Sequence, residues 1–410
     1  MAPIAIAFAV IGIHGSPSAM SLVLAARMLP TVIFMLAGGV IADRLPRHRV
    51  MMAADLVSGL AQAATAATLL FGVADMWTLT AFQFIGGAAG ACLMPAVSGL
   101  VPQIVQGPAI KEANALLGLS RNGARIGGAA IGGVLVAAFG PGLAIAVDAA
   151  SFFVSAILLR AVRVAEPAVR AAGNKFAREL VEGWHEFRTR RWVWLISAQY
   201  AVTNALGMGS FFVLGPLIAA QSLGGPTAWG LIMTANACGL VFGSAASLRI
   251  NLERPLIAAP IGALFIVPVI SFLALHEAAI VIAFAAFVLG FFAAVSGVFF
   301  ETALQNHIPA DKLSRVAAYD IAASFAAIPV GVLVVGFVAP LVGMSAMLWT
   351  AAIIVAVAGV ATLAAQDVRS LGAARPSDEA QAHTTRGRAS RGTAGDGPRP
   401  RRRPAPARSG

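Results

Sequence analysis

Charge is what this chain has least of. Asp, Glu, Lys and Arg make up 11% of its 410 residues and apolar residues 59%. Soluble globular domains carry about 25% charged residues, so an ordinary water-soluble globule is excluded. Cysteine occurs only as Cys92 and Cys238, each inside an apolar run. That excludes a disulfide framework and a cysteine-built metal site, and both residues read as small buried side chains. No G-x-x-x-x-G-K phosphate loop is present, so the chain is not expected to drive chemistry with ATP. The six histidines fall mostly in connections and never as H-E-x-x-H. With no metal, cofactor or nucleophile constellation in the pattern, the chain is not read as an enzyme.

What is abundant is long apolar sequence. Runs able to cross a hydrocarbon core of about 30 Å as helices lie near Ser18–Ala42, Val50–Gly72, Met76–Leu100, Ala115–Ala138, Gly142–Leu159, Trp192–Ala220, Ala228–Leu248, Leu256–Leu275, Ala278–Phe300, Ala317–Phe337 and Gly343–Ala364. Met1–Ile13 is also apolar, but a spanning helix needs about 20 residues. It is expected to be the outer half of a first helix whose beginning is missing from this sequence. The connections near Gly15, Asp75, Pro141, Gly224, His276 and Pro340 contain no Lys or Arg. The alternate ones hold Arg44, Arg47 and Arg49; Lys111; the basic stretch 160–191; Arg249 and Arg254; and Lys312 and Arg315. The positive-inside rule makes this second set cytoplasmic, and the C-terminal tail with it, in a multi-pass protein of the cell membrane.

Four regions follow: a helix bundle over 1–159, a linker over 160–191, a second bundle over 192–365 and a tail over 366–410. In the linker, Phe176, Leu180, Trp184 and Phe187 are spaced by four, four and three, which predicts an amphipathic helix on the inner membrane surface. The tail holds ten Arg against four acids, a net of +6, among Pro, Gly, Ala, Ser and Thr. Such a composition predicts disorder. No aromatic residue lies among its arginines, so nucleic acid is not expected as a partner.

Between the first two complete spans, GGVIADRLPRHRV sets Gly39, Asp43, Arg44, Arg47 and Arg49 in one short loop, and Asp55 follows in ADL. This resembles the signature loop of the major facilitator superfamily, with Pro46 where glycine is usual. At an offset of about 204, Gly39, Asp43 and the following arginines align with Gly243, Ser247, Arg249 and Arg254. At nearly the same shift, IVQGPAIKEAN from Ile104 aligns with HIPADKLSRVA from His307. The resemblance implies an all-α membrane protein of two six-helix bundles, the major facilitator fold, here with its first helix truncated at the N-terminus and eleven complete spans. The substrate site would lie between the halves near the midplane. Asp43 would meet the N-terminus of the eleventh helix, where the macrodipole stabilises a carboxylate by about 0.3–1 kcal/mol. With Gly39, Arg44, Arg47 and Asp55 it would form a cytoplasmic gate. The alternative is a positive-inside loop with an ordinary cap.

Each ionisable group inside a span is a functional hypothesis. Arg27, Arg125 and Asp148 are candidates for the cavity and for proton coupling, with Gln83, Asn204 and Asn236 as polar groups that line the cavity or bond neighbouring helices. Arg125 is the first choice, near the midplane by helical rise. Asp148 reads either as a proton carrier or as a structural acid, and Arg27 as a partner for one of the acids. The run SRNGARIGGAAIGGVL carries Gly123, Gly127, Gly128, Gly132 and Gly133, a bare face for helix packing. It resembles the fifth-helix signature of family exporters, with Ala129 at the expected proline. Together with VDAASFF it resembles the bacterial twelve-helix drug/proton antiporters that include macrolide-efflux and enterobactin-export proteins. The resemblance implies a secondary active transporter, read as a monomer, that exports an amphipathic drug, macrolide or siderophore in exchange for protons and confers multidrug resistance. Import of a small metabolite on the same fold, or an inactive membrane remnant, stays open as the alternative.

Overall fold

The structure, a computed structural model, describes the chain except residues 14, 94–95, 98–99, 101–103, 106–108, 163–183, 186, 251, 253, 309 and 371–410. Of residues 35–44, 109–111, 114–115, 310–311, 314–315, 318 and 370 it describes the backbone alone. The described residues contain helices and no strand. They form α1 (Ala2–Ile13), α2 (Pro17–Arg44), α3 (Arg47–Leu70), α4 (Met76–Gly90), α5 (Ala109–Arg160), α6 (Arg191–Leu223), α7 (Pro226–Ser247), α8 (Pro255–Ala274), α9 (Ala279–His307), α10 (Ala310–Phe325), α11 (Ala327–Val342), α12 (Met344–Ala364) and the short α13 (Gln366–Ser370).

Nine helical stretches among the described residues, one of them running through α10 and α11 over Tyr319–Val342, are long and apolar enough to cross a membrane, where the apolar runs predict eleven. Part of the difference is α5, which joins two predicted spans through Gly140 at φ 80° followed by Pro141, giving arms 109–139 and 141–160. The other part is α4, whose regular helix covers only Met76–Gly90 of its run. The linker positions Phe176 and Leu180 and the basic tail lie outside the described residues. Trp184 and Phe187, at the end of the linker, pack against Tyr319 of α10 with ring centroids 5.6 and 6.1 Å away.

Proline places the breaks within spans. A proline cannot donate to the carbonyl four residues earlier. Pro268 therefore leaves the Leu264 carbonyl without its helical donor, and α8 interrupts at Phe265. Pro329 does the same to Phe325, and the chain breaks at Ala326 between α10 and α11. In α6 the α-helix widens to π-turns at Thr203–Met208 and Ala219–Leu223.

Among the described residues, those with positive φ lie in the connections of one end of the molecule. They are Gly15, Gly72, Gly140, Gly224, Gly225, His276 and Gly343, which occupy the six connections that lack Lys and Arg. At this end a single apolar core runs through both halves. Val10, Met20, Leu79 and Ile145 come from one half, and Phe211, Ile232, Ile270, Val335 and Leu348 from the other. Towards the opposite, charged end the described residues form two separate clusters. One holds Trp192, Ile196, Leu256, Phe300 and Val316 of the second half, and the other Val50 and Ala96 of the first.

The halves meet where α2 packs on α11 and α5 on α7. Glycine permits both approaches. A Cβ on Gly336 of α11 would strike the Ser21 side chain and come within 2.8 Å of the Pro17 carbonyl of α2. One on Gly133 of α5 would stand 2.9 Å from the Gly230 Cα of α7.

Candidate functional site

Two recesses could receive a small molecule. The larger, about 710 Å³, lies between α3 and α4 and is lined by apolar side chains such as Val57, Phe84 and Ile85, with Arg49 the single charged residue among the described lining. Its walls stay within one half, on a flank where Val57, Phe84 and Ile85 are exposed. The smaller, about 350 Å³, lies between the halves. It is walled by Pro3 and Ile6 of α1, by Val23, Leu24, Arg27, Met28, Thr31 and Val32 of α2, by Gln83 of α4, and across the seam by Phe212, Phe325, Ile328 and Pro329. Ligand sites are concave and mostly apolar, with a few converging polar groups. The smaller recess has that composition, and it stands where two rigid halves can move against each other.

Its polar wall is the visible end of a hydrogen-bond chain through four helical segments. The Arg27 guanidinium donates from Nη1 to Gln83 Oε1 at 3.0 Å, and Gln83 Nε2 donates to Gln62 Oε1 at 3.3 Å. Gln62 Nε2 then donates to Asp148 Oδ2 at 3.2 Å. All three bonds point the same way. Arginine offers only donors and an ionised carboxylate only acceptors, so each glutamine must turn its oxygen towards Arg27 and its nitrogen towards Asp148. Aligned dipoles of this kind reinforce one another in a low-dielectric interior. Gln62 and Gln83 are each 1% exposed, so neither amide has water as a substitute partner. Next to Arg27, the Thr31 hydroxyl reaches the carbonyls of Arg27 and Gly87 at 2.9 and 3.0 Å.

The other polar candidates sit elsewhere. Asn204 Nδ2 donates to the Ser324 carbonyl at 2.9 Å and Asn236 Nδ2 to the Ala286 carbonyl at 3.0 Å, each joining two helices of the second half. Asp55, buried in α3, accepts the Ser155 hydroxyl of α5 at 2.6 Å. Asp320 accepts the Ser197 hydroxyl. Arg125 is exposed and lines neither recess. It shares a helix face with Gly128 and Gly132, three and seven residues on. Those two pack against Met1, where an added Cβ would lie 3.2 and 3.0 Å from its atoms, whereas Arg125 lies a turn beyond that contact.

Within the glycine run, Gly133 meets Gly230, while a Cβ on Gly123 or Gly127 would meet nothing within 4 Å. In the loop motif, Gly39, Asp43 and Arg44 fall in the last turns of α2, where the backbone alone is described. Arg47 opens α3 after Pro46.

Sequence reasoning missed Gln62. It lies in an Ala- and Thr-rich stretch with no charge to mark it, and its bond to Asp148 joins residues 86 apart. Buried glutamine inside an apolar run is the one signal that could have found it, and Gln83 and Gln199 share that signal.

A family model described as transmembrane secretion effector matches residues 1–386. In Bacillus subtilis (strain 168), the uncharacterized MFS-type transporter YfiS is 28% identical over 147 residues. That match covers 36% of this chain and 34% of YfiS, so it spans about a third of that relative's length. The uncharacterized MFS-type transporter YvqJ of the same organism is 24% identical over 307 residues, 71% of each chain. Among solved structures, the nucleoside transporter NupG superposes with a TM-score of 0.68 at 10% identity, covering 88% of this chain and 96% of that one. A bacterial homolog to the human lysosomal transporter Spinster, inward-facing and unoccupied, gives 0.65 at 12% identity, covering 90% and 95%. At such identities the likeness shows the fold, that of major facilitator transporters with two six-helix bundles.

Proposed function

Because the chain belongs to the transmembrane secretion effector family of the major facilitator superfamily, we propose that this multi-pass transporter exports an amphipathic small molecule, in exchange for protons, through the recess between its halves. The observation that carries this reading is the recess between the halves, beside a core that is continuous across both at the glycine-turn end and that, among the described residues, falls into separate clusters towards the charged end. A site closed on one side and open on the other is what alternating access requires of each of its two states.

The charged end is assigned to the cytoplasm by its Lys and Arg, together with the linker and the tail, in the cell membrane. In this orientation the seam is closed outside and the recess faces inward. The bundles are assigned to 1–159 and 192–365. Asp43, with Gly39, Arg44, Arg47 and Asp55, is assigned to the gate that closes the cytoplasmic side when the halves rock. Asp148 is the proposed coupling carboxylate. Protonating it removes the negative pole of the amide chain that starts at Arg27, so the charge balance of the cavity wall changes when a proton binds.

Expression in an efflux-deficient host, with accumulation of a panel of dyes and drugs measured in energised cells, tests direction and coupling together. Lower accumulation that an uncoupler abolishes supports proton-driven export. Accumulation raised above that of empty cells would replace it with import, and no change with the protein verified in the membrane would leave an inactive remnant. Asp43→Asn and Asp148→Asn are each expected to abolish the effect without loss of membrane insertion.

A further inference from the structure

The wall of the recess has a chemical sign, and that sign selects a substrate class. A guanidinium carries five N–H donors, and Arg27 directs one group, Nη1, to Gln83. Gln83 turns its oxygen to Arg27 and its nitrogen to Gln62, so its amide is held by the chain and carries no charge of its own. The Thr31 hydrogen is committed to a backbone carbonyl. Among the described lining residues there is no carboxylate, and the nearest carboxylate along the chain, Asp148, is reached only through two amides. What the recess presents to an occupant is therefore a set of unused donors on one fixed cation, facing apolar and aromatic side chains across the seam.

We infer that the transported molecule is an amphipathic anion whose carboxylate, or an acidic group of like shape, pairs with Arg27 while its apolar body lies against Met28, Phe212 and Phe325. This rests on the proposed transport function and goes beyond it by naming the substrate's charge. The planar fork of arginine matches a carboxylate in two parallel bonds, and charge-assisted pairs of this kind are the strong ones. A cationic substrate would meet Arg27 across an apolar, low-dielectric space with no acidic side chain on the lining to receive it, a repulsion that water does little to screen. A neutral amide would gain acceptor contacts without the charge. The amide chain behind Arg27 holds the guanidinium at the wall, so the cation is positioned before the substrate arrives.

The test is isothermal titration of the full chain in detergent with three probes of one skeleton: 2-naphthylacetate, 2-naphthylacetamide and 2-naphthylethylamine. The acetate is expected to bind at least about tenfold more tightly than the amide, and the amine more weakly than either. Arg27→Gln should bring acetate binding down to that of the amide while amide binding persists, which also reports that the variant is folded. Arg27→Lys should keep part of the preference, since it retains the charge without the fork. Phe325→Ala should weaken all three probes alike.

A preference for the amine or amide, an acetate preference that survives Arg27→Gln, or binding of none of the three would each overturn the inference. Counterflow of labelled 2-naphthylacetate in proteoliposomes separates it from the proposal on which it rests. Arg27-dependent binding without counterflow would keep the anion site and defeat transport. Counterflow of the amine or amide in preference to the acetate would keep transport and defeat the anion.

Discussion

The two ends of this molecule solve opposite problems. At the glycine-turn end, six connections free of Lys and Arg turn through positive-φ residues, and the helices of both halves share one core. At the charged end, the connections carry the basic residues, and the described buried residues fall into one cluster in the second half and the pair Val50 and Ala96 in the first. The difference follows from the connections. A tight turn with φ above zero brings successive helices together with little backbone to solvate, so apolar side chains of both halves can close over the seam. Charged connections require water, and beneath them the described buried residues of the two halves form separate clusters. An asymmetry of this kind is what a rocking transporter needs, because its two ends must not be open at the same time.

The largest effect is expected from adding the same methyl group at each end. Gly336→Ala would drive a Cβ into the buried Ser21 side chain and towards the Pro17 carbonyl. Overpacking of this sort costs about 1–3 kcal/mol, and because it props the seam open it should also abolish counterflow. Gly297→Ala, in α9 towards the charged end, adds a Cβ with nothing within 4 Å. It should keep transport and gain up to about 1 kcal/mol, the helix propensity of Ala over Gly. Melting curves and counterflow on both variants check the pair. Equal losses at the two positions would break the comparison.

Next in size is the polar chain. Gln83→Leu removes the acceptor of Arg27 and the donor to Gln62 at once. Leaving buried polar partners unmade costs about 1–3 kcal/mol, and counterflow is expected to fall roughly tenfold as the guanidinium loses its position. Asn236→Leu is the control in the other half, since its amide bonds only the Ala286 carbonyl. It should lose about 0.6 kcal/mol, as interhelical hydrogen bonds in membranes do on average, with transport retained. A transport loss from Asn236→Leu as deep as that from Gln83→Leu would mean that the first half does not hold the cavity's polar wall alone.

Much of the architecture was legible in the sequence because it is written in one-dimensional signals. Apolar runs located most spans, and the absence of Lys and Arg picked out the six connections that prove to turn through positive φ. Arg27 and Gln83 were legible as isolated polar groups in apolar surroundings. What could not be read was rotation about the helix axis. Helical rise put Arg125 near mid-depth, but depth does not say which way a residue faces, and Arg125 is exposed without lining the recess between the halves. Gln62 was hidden for a related reason: its partners lie on α4 and α5, and only the mutual register of three helices brings its amide between Gln83 and Asp148. The kink at Gly140 was visible as a Gly-Pro pair, although the sequence alone does not say that one helix continues through it.

The smallest expected effect bears on the one acidic residue that caps a helix at the glycine-turn end. Asp75 precedes α4, accepts the Thr78 backbone N–H at 2.7 Å, and receives the Thr78 hydroxyl's reciprocal support in a capping box. That hydrogen bond, above all, holds its carboxyl below the usual carboxylate range. A folded-state pKa below the unfolded one gives stability that is present above the unfolded value, about 3.9, and is lost as the pH falls through the folded value. Asp75→Ala should therefore lower the melting temperature slightly at pH 7, with the gap to the parent narrowing in strong acid. Asp75→Asn should keep most of the cap, because asparagine accepts the same bond, and lack that narrowing. Since Asp75 is exposed and touches neither the seam nor the recess, both variants should transport normally. A transport defect here would mean that the turns at this end move during the cycle instead of serving as the fixed pivot that the shared core implies.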